Sequence, residues 1–370
     1  MSKVIGIEGL VKPWIIALGG YVASKAPDAL EGKMEVATKD VIKLDANENP
    51  YGCSPRVQRA LAECSSINIY PDAEQVELRK MLSEYVGARP ECIAAGNGSD
   101  ELIGYIMRSF VGPGDEVINC VPTFDIFRHR TQLCGGTLVE VPRNEDYMVD
   151  VAAVKAAITP RTRLIPLATP NNPTGTKIPL EDILEIVETG VPVLVDEAYV
   201  EFNGETVVPL ASKYDNMMVL RTFSKWAGLA GMRIGYGIFP PQIADYVMKI
   251  KEPYNVNIAA QIAVRESLKD LEYLRNNVKT IVAERDRLFA ELSQLSFLKP
   301  YPSWANFVFC SVLKGNAYEI QQRLERKGIL IRYFNIPLLQ NALRFGVGKP
   351  EHTDVMIRVL KQIEKELDDK

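Results

Sequence analysis

Two charged side chains stand where α/β proteins do chemistry. Lys225 closes Arg221-Thr222-Phe223-Ser224-Lys225, which follows the apolar run 217–220, and Asp196 follows the apolar run 191–195. Each run reads as a buried strand, so both side chains fall at strand carboxyl ends, where ligands of open α/β sheets gather. A lysine is ordinarily a solvated surface charge. At a strand end, partial burial and a second cation, for which Arg233 is the candidate, lower its pKa and leave an amine able to attack a carbonyl. Asp196 either caps the next element or pairs with a buried cation, and Tyr199 three residues on adds a hydroxyl donor.

A phosphate-sized anion needs backbone N–H groups at a helix start, and Gly96-Asn97-Gly98-Ser99-Asp100-Glu101 opens a helical pattern running to Phe110. By itself a G-x-G before a helix more often marks a plain capping turn. Asp100 and Glu101 suit the helix dipole but repel an anion, so their side chains must turn away. Thr222, Ser224 and Arg233 offer the hydroxyl and cationic donors that would complete such a pocket. Pro170-Asn171-Asn172-Pro173-Thr174-Gly175 follows another apolar run and is a turn on any reading.

The elements that position these residues alternate. Helices are predicted over 74–86, ending at Gly87, then 100–110, 150–158 and 180–188; strands over 116–121, 164–168, 191–195, 218–221 and 233–238. That order implies an α/β fold with a largely parallel sheet. From about residue 263 the spacing of Leu268, Leu271, Leu274, Val278, Ile281, Val282, Leu288, Leu292 and Leu295 predicts one long bridging helix. Strands follow over 307–312, 329–334 and 343–347, with a helix ending at Gly328, and a last helix over Met356, Val359, Leu360, Ile363 and Leu367, capped by Thr353 or Asp354.

Composition removes other classes. A net charge of −4 over 370 residues gives no electrostatic reason to expect nucleic acid or an anionic membrane. Six scattered cysteines without a C-x-x-C pair argue against a disulfide framework and a zinc site, and fit a reducing cytoplasm. His129 and His352 stand apart, so no metal pair is expected and chemistry must rest on Lys, Tyr, Asp and Arg or on a cofactor. No apolar run is long enough to span a bilayer. A dinucleotide fingerprint would need a third glycine that the Gly96 segment lacks.

Asp196, Tyr199 and Lys225, in that order after the 170–175 turn, make the sequence resemble the fold-type I pyridoxal-phosphate aminotransferases from about Tyr21 to Leu360. The resemblance implies a three-layer α/β/α large domain with a mostly parallel sheet (46–262), and a smaller α/β domain built from the C-terminal third (263–370) and an N-terminal arm (1–45). It implies pyridoxal 5′-phosphate held by Lys225 as a Schiff base, with Asp196 on the pyridine nitrogen, Tyr199 and Asn172 on the ring oxygen and Phe124 stacked on the ring. Ser99, Asp100, Thr222, Ser224 and Arg233 would hold its phosphate, joined by Tyr70 from a second subunit, so a homodimer is expected.

Within that family, Leu44-Asp45-Ala46-Asn47-Glu48-Asn49-Pro50, Gly98-Ser99-Asp100-Glu101, Ile331-Arg332-Tyr333-Phe334 and Leu343-Arg344-Phe345-Gly346-Val347-Gly348 resemble the histidinol-phosphate aminotransferase subfamily. This implies L-histidinol phosphate and glutamate or 2-oxoglutarate as substrates, with Arg344 clamping the α-carboxylate and Arg332, Asn47 and Tyr21 also binding substrate. Tyr21 falls in a segment resembling that subfamily's Tyr-Val-Pro-Gly-Lys-Pro arm, with Ala23 and Ser24 replacing two usual residues. Rival readings are an aromatic-amino-acid aminotransferase or a threonine-phosphate decarboxylase on the same scaffold, and a non-catalytic regulator, which would need an added binding module.

Overall fold

The computed structural model describes residues 6–20, 27–30, 32 and 34–369. Its strands are β1 (Ile42–Lys43), β2 (Ile93–Gly96), β3 (Glu116–Val121), β4 (Thr137–Pro142), β5 (Thr162–Ala168), β6 (Val193–Asp196), β7 (Met217–Thr222), β8 (Gly235–Ile238), β9 (Leu298–Pro300), β10 (Phe307–Val312), β11 (Ile329–Leu330), β12 (Arg332–Tyr333) and β13 (Ala342–Gly346).

Seven strands form one sheet in the order β2-β8-β7-β6-β5-β3-β4. All neighbours are parallel except β8, which runs antiparallel to β2 and β7. Successive side chains of a strand point to opposite faces. Thus Ile165, Leu167, Val193, Val195, Met217 and Val219 enter one apolar cluster, while Leu164, Ala168, Leu194, Met218 and Leu220 enter another. A sheet apolar on both faces must be covered by helices on both, which gives three layers. Each fully buried aliphatic side chain contributes roughly 1.5–3 kcal/mol, so the central strands are the most firmly held part of the sheet.

The C-terminal third carries an antiparallel sheet in the order β12-β13-β10-β9, and β1 pairs parallel with β11, tying the N-terminal segment to this unit. Four predicted elements differ. The long helix is two, Ile258–Leu268 and Leu271–Ser293, because Asp270 leaves helical backbone (φ −129°, ψ 39°) and accepts a hydrogen bond from Ser54 Oγ. The single strand expected over 329–334 is split between β11 and β12, which lie in different sheets. The last helix, Pro350–Asp368, begins three residues before Thr353, with Pro350 supplying a preset φ at its first position. Thr353 is buried inside it, and Asp354 pairs with Arg287 at 2.8 Å. Finally, Asp196 is the last residue of its strand rather than the first beyond it.

Candidate active site

β6 and β7 run in register, Asp196 opposite Leu220, so their carboxyl ends reach one edge. Asp196 is 3 % exposed and accepts the Ala198 N–H at 3.0 Å. Burial, offset by that N–H and reinforced by the charges of Asp100 and Glu197, pushes its carboxyl up to about 7. An acid buried with no cation beside it is costly, and a cationic ligand removes the cost. On the opposite face of the same strand ends, Glu197 and Arg221 form a buried ion pair at 2.9 Å, and Glu197 also accepts from Thr206 Oγ1 and the Val207 N–H. This pair fastens β6 to β7 just where Asp196 and Thr222 project.

Lys225 follows β7 by three residues and donates from Nζ to the Ala46 carbonyl at 2.9 Å. Burial, and after it the Arg344 guanidinium, push it down to about 8. A useful fraction is therefore neutral amine near neutrality. The sequence pointed to Arg233 as the neighbouring cation. Arg233 does lower Lys225, but Arg344 is the stronger influence, and Arg233 turns its guanidinium to Asp100 at 3.1 Å.

Three consecutive residues gather the rest. Asp45 O accepts from Arg344 Nη2 at 2.5 Å, Ala46 O from Lys225, and Asn47 Nδ2 donates to the Tyr199 hydroxyl at 2.9 Å. Asn47 holds a left-handed backbone (φ 55°), and its carbonyl accepts from Asn306 Nδ2 at 3.0 Å. Sequence reasoning placed Asn47 on substrate; here it orients Tyr199, whose ring packs edge-on to Phe307 at 5.3 Å. Asn172 Oδ1 accepts from Arg344 Nη1 at 2.5 Å. Its neighbour Asn171, fully buried, binds both the Pro122 carbonyl and Thr123 Oγ1, and so pins the loop that carries Phe124.

The anion cradle lies at the start of the helix Ser99–Phe110. Gly98 has φ 80°, and a Cβ there would collide with the Arg233 guanidinium; a Cβ on Gly235 would come within 2.5 Å of the Ser99 nitrogen. Only glycines allow this close approach of two backbones and a cation. Thr222 Oγ1 donates to Ser224 Oγ at 3.0 Å and accepts the Ser224 N–H at 3.1 Å, bringing both hydroxyls to the same edge. Of the two acids that would repel an anion, Asp100 is held by Arg233, and Glu101 accepts from the Asn97 N–H and Asn255 Nδ2, both at 2.7 Å.

Arg332 and Arg344 face each other across β12 and β13. Directly opposed like charges repel, and an anion between them relieves the repulsion. Arg344 is 5 % exposed, with Phe307 and Phe334 under its guanidinium at 5.2 and 5.8 Å, and Arg332 also lies over Phe334 at 5.8 Å. Tyr70 is on the surface, 77 % exposed and stacked on Tyr254 at 4.4 Å. Tyr21 lies outside the described residues. Sequence reasoning missed the contributions of Asp45, Ala46, Asn171, Glu197 and Arg221. All but Glu197 lie inside motifs it quoted, yet nothing local marks Glu197 and Arg221 as partners.

A buried acid and a depressed lysine at the carboxyl edge of a seven-stranded, three-layer sheet define the architecture of a fold-type I aminotransferase. The chain belongs to the aminotransferase class I and II family, whose model matches residues 39–360. It is 54% identical over 344 residues to a histidinol-phosphate aminotransferase of Dehalococcoides mccartyi, covering 93% of this chain and 95% of that one. A histidinol-phosphate aminotransferase of Roseiflexus castenholzii is 44% identical over 366 residues, covering 96% and 99%. Among solved structures, histidinol-phosphate aminotransferase from Sinorhizobium meliloti in complex with pyridoxal-5′-phosphate superposes with a TM-score of 0.88 at 29% identity, covering 96% of this chain and 98% of that one.

Proposed function

We propose that the chain catalyses reversible amino transfer between L-histidinol phosphate and 2-oxoglutarate with pyridoxal 5′-phosphate, a step of histidine biosynthesis. The observation that carries the reading is the pairing of Lys225, an amine depressed to about 8, with Asp196, a buried acid that meets no cation among the described residues, at one sheet edge. The residues present fit the cofactor: a cationic ring nitrogen answers Asp196, and the glycine-lined helix start with Thr222, Ser224 and Arg233 answers a phosphate. When bound, the cofactor supplies an electron sink for a substrate carbanion.

The chain's own residues do the rest. Lys225 Nζ anchors the cofactor and then moves the proton at the substrate carbon. Asp196 keeps the ring nitrogen protonated. Tyr199, oriented by Asn47, and Asn172 would serve the ring oxygen of the bound cofactor, and Phe124 would offer its ring an apolar face. The N–H groups of Ser99 and Asp100 complete the phosphate cradle. Arg344 holds the α-carboxylate of glutamate, and when histidinol phosphate, which has a phosphate and no carboxylate, takes its place, Arg332 with Arg344 receives that phosphate. Two adjacent cations suit that alternation. Asn47 and Tyr21 are assigned to the substrate side as well.

The catalytic unit is a homodimer in this reading, with Tyr70 reaching the neighbouring site. The exposed apolar side chains Ile67, Ile69, Tyr70, Val76 and Tyr254 support it. The reading places the enzyme in the cytoplasm; no helix among the described residues is long and apolar enough to cross a membrane, and all six cysteines are free.

A substrate panel tests the assignment. With 2-oxoglutarate as acceptor, glutamate should form fastest from histidinol phosphate, more slowly from phenylalanine and tyrosine, and phosphothreonine should release no carbon dioxide. A higher kcat/KM for phenylalanine, or decarboxylation of phosphothreonine, would overturn it.

A further inference from the structure

A second concentration of positive charge lies beside the cradle, not in it. A cavity of about 670 Å³ opens between the helices Ser99–Phe110 and Ile126–Leu133 and the N-terminal helix Pro13–Ile16, and its walls include Lys12, Arg108, Arg130 and Arg233. The two acids on its rim are already engaged, Asp100 by Arg233 and Glu101 by Asn97 and Asn255. Lys12, Arg108 and Arg130 form no ion pair among the described residues, whereas Arg128, next but one to Arg130, is paired with Asp125 and Glu140. Three cations that share no ion pair among the described residues repel one another beside the engaged Asp100 and Glu101, and a cavity focuses their field on whatever enters it.

The local construction favours an occupant. Arg130 Nε, turned in against the helix, has no acceptor among the described residues. Gly104, in the middle of a helix where glycine is unfavourable by about 1 kcal/mol against alanine, lies against that guanidinium, and a Cβ there would sit at ordinary contact distance, 3.7 Å, from Arg130 Nε. Arg108 hangs over the same wall, its Nε donating to Gly104 O at 3.2 Å. Lys12 is brought in by Trp14, whose indole donates to Leu133 O at 3.2 Å and whose ring lies 5.4 Å from the ammonium. All three cations bear on the Cys134 thiol in the same wall.

We propose that this cavity is a second anion site, built for a small ligand carrying two or more negative charges of the phosphate class, which adjoins the cofactor's own phosphate cradle and shares Arg233 with it. Lys12 makes its occupancy stiffen the link between the N-terminal segment and the body. The inference goes beyond the reading of the catalytic site and is tested with that site filled.

Holoenzyme saturated with pyridoxal phosphate is titrated calorimetrically with inorganic pyrophosphate at low and at raised salt. One pyrophosphate per chain is expected, with the cofactor absorbance unchanged and affinity falling as salt rises. Arg108→Gln and Arg130→Gln should each weaken it about tenfold, the loss of one charge-assisted contact, while turnover, which uses none of these side chains, stays near wild type. Bound pyrophosphate should also slow iodoacetamide labelling of Cys134, as read by peptide mass spectrometry. Absence of a saturable site on the holoenzyme, wild-type affinity in both variants, or unchanged labelling of Cys134 overturns the proposal, and none of these outcomes bears on whether Lys225 carries the cofactor.

Discussion

The two ends of the candidate site are held by opposite means. At the cofactor end, Asp196, Thr222, Ser224 and Lys225 lie on or just beyond two adjacent parallel strands, β6 and β7, and apart from the bonds of Lys225 to the Ala46 carbonyl and of Thr222 to the Ile234 carbonyl, the polar contacts of Thr222, Ser224 and Asp196 reach residues two positions away. At the substrate end, Arg344 is fixed by groups 172 and 299 positions away, the Asn172 side chain and the Asp45 carbonyl. Chemistry is thus built into the buried sheet edge, while substrate reading depends on docking the N-terminal segment and the C-terminal sheet against it. Buried strands open only with global unfolding, whereas such docking contacts open more readily.

The sharpest way to break this division is to remove one side chain from each end. Lys225→Ala should leave a folded protein, with unchanged far-ultraviolet circular dichroism, whose turnover falls by at least about 10⁴-fold, because both anchoring and proton transfer are lost. Turnover within tenfold of wild type would place the chemistry elsewhere. Arg344→Ala comes next. Losing one partner of a buried, hydrogen-bonded charge costs roughly 2–4 kcal/mol, so kcat/KM should drop about 30- to 1000-fold for glutamate and 2-oxoglutarate alike. Cofactor absorbance should hardly change, and if cofactor binding fell as much as substrate binding, the two ends would not be separable.

Tyr199→Phe should give the smallest effect. Its hydroxyl accepts one hydrogen bond from Asn47, and losing one such bond costs about 1 kcal/mol, or fivefold in rate. The cofactor absorption band should move while the melting temperature stays within a few degrees. An unmoved band would mean that Tyr199 packs against Phe307 without serving the ring.

The same division explains what could be read from the residues alone. β3 was legible to its last residue, and β5, β6 and β7 to within two residues, because strands buried on both faces read as mostly apolar runs, interrupted in β3 only by Glu116 and Asn119. β2, with Ala94, Ala95 and Gly96, has little strand propensity, and β4 lies at the sheet edge with half-exposed residues, so neither stood out. Asp196 and Lys225 were legible because a strand end is a local signal. The influence of Arg344 on Lys225 was not, since it arises only when the C-terminal sheet meets the large one. Nor was the break at Asp270, where apolar spacing continues across a residue whose backbone is turned by tertiary packing.

The most direct test traps the bond itself. Borohydride reduction of the protein loaded with pyridoxal phosphate, followed by peptide mapping, should place a single phosphopyridoxyl label on Lys225. Below about pH 8 that amine is mostly protonated and cannot attack, so the rate at which cofactor-free protein captures pyridoxal phosphate should climb roughly tenfold per pH unit up to that point and then level off. A label on another lysine, or none, would contradict the account.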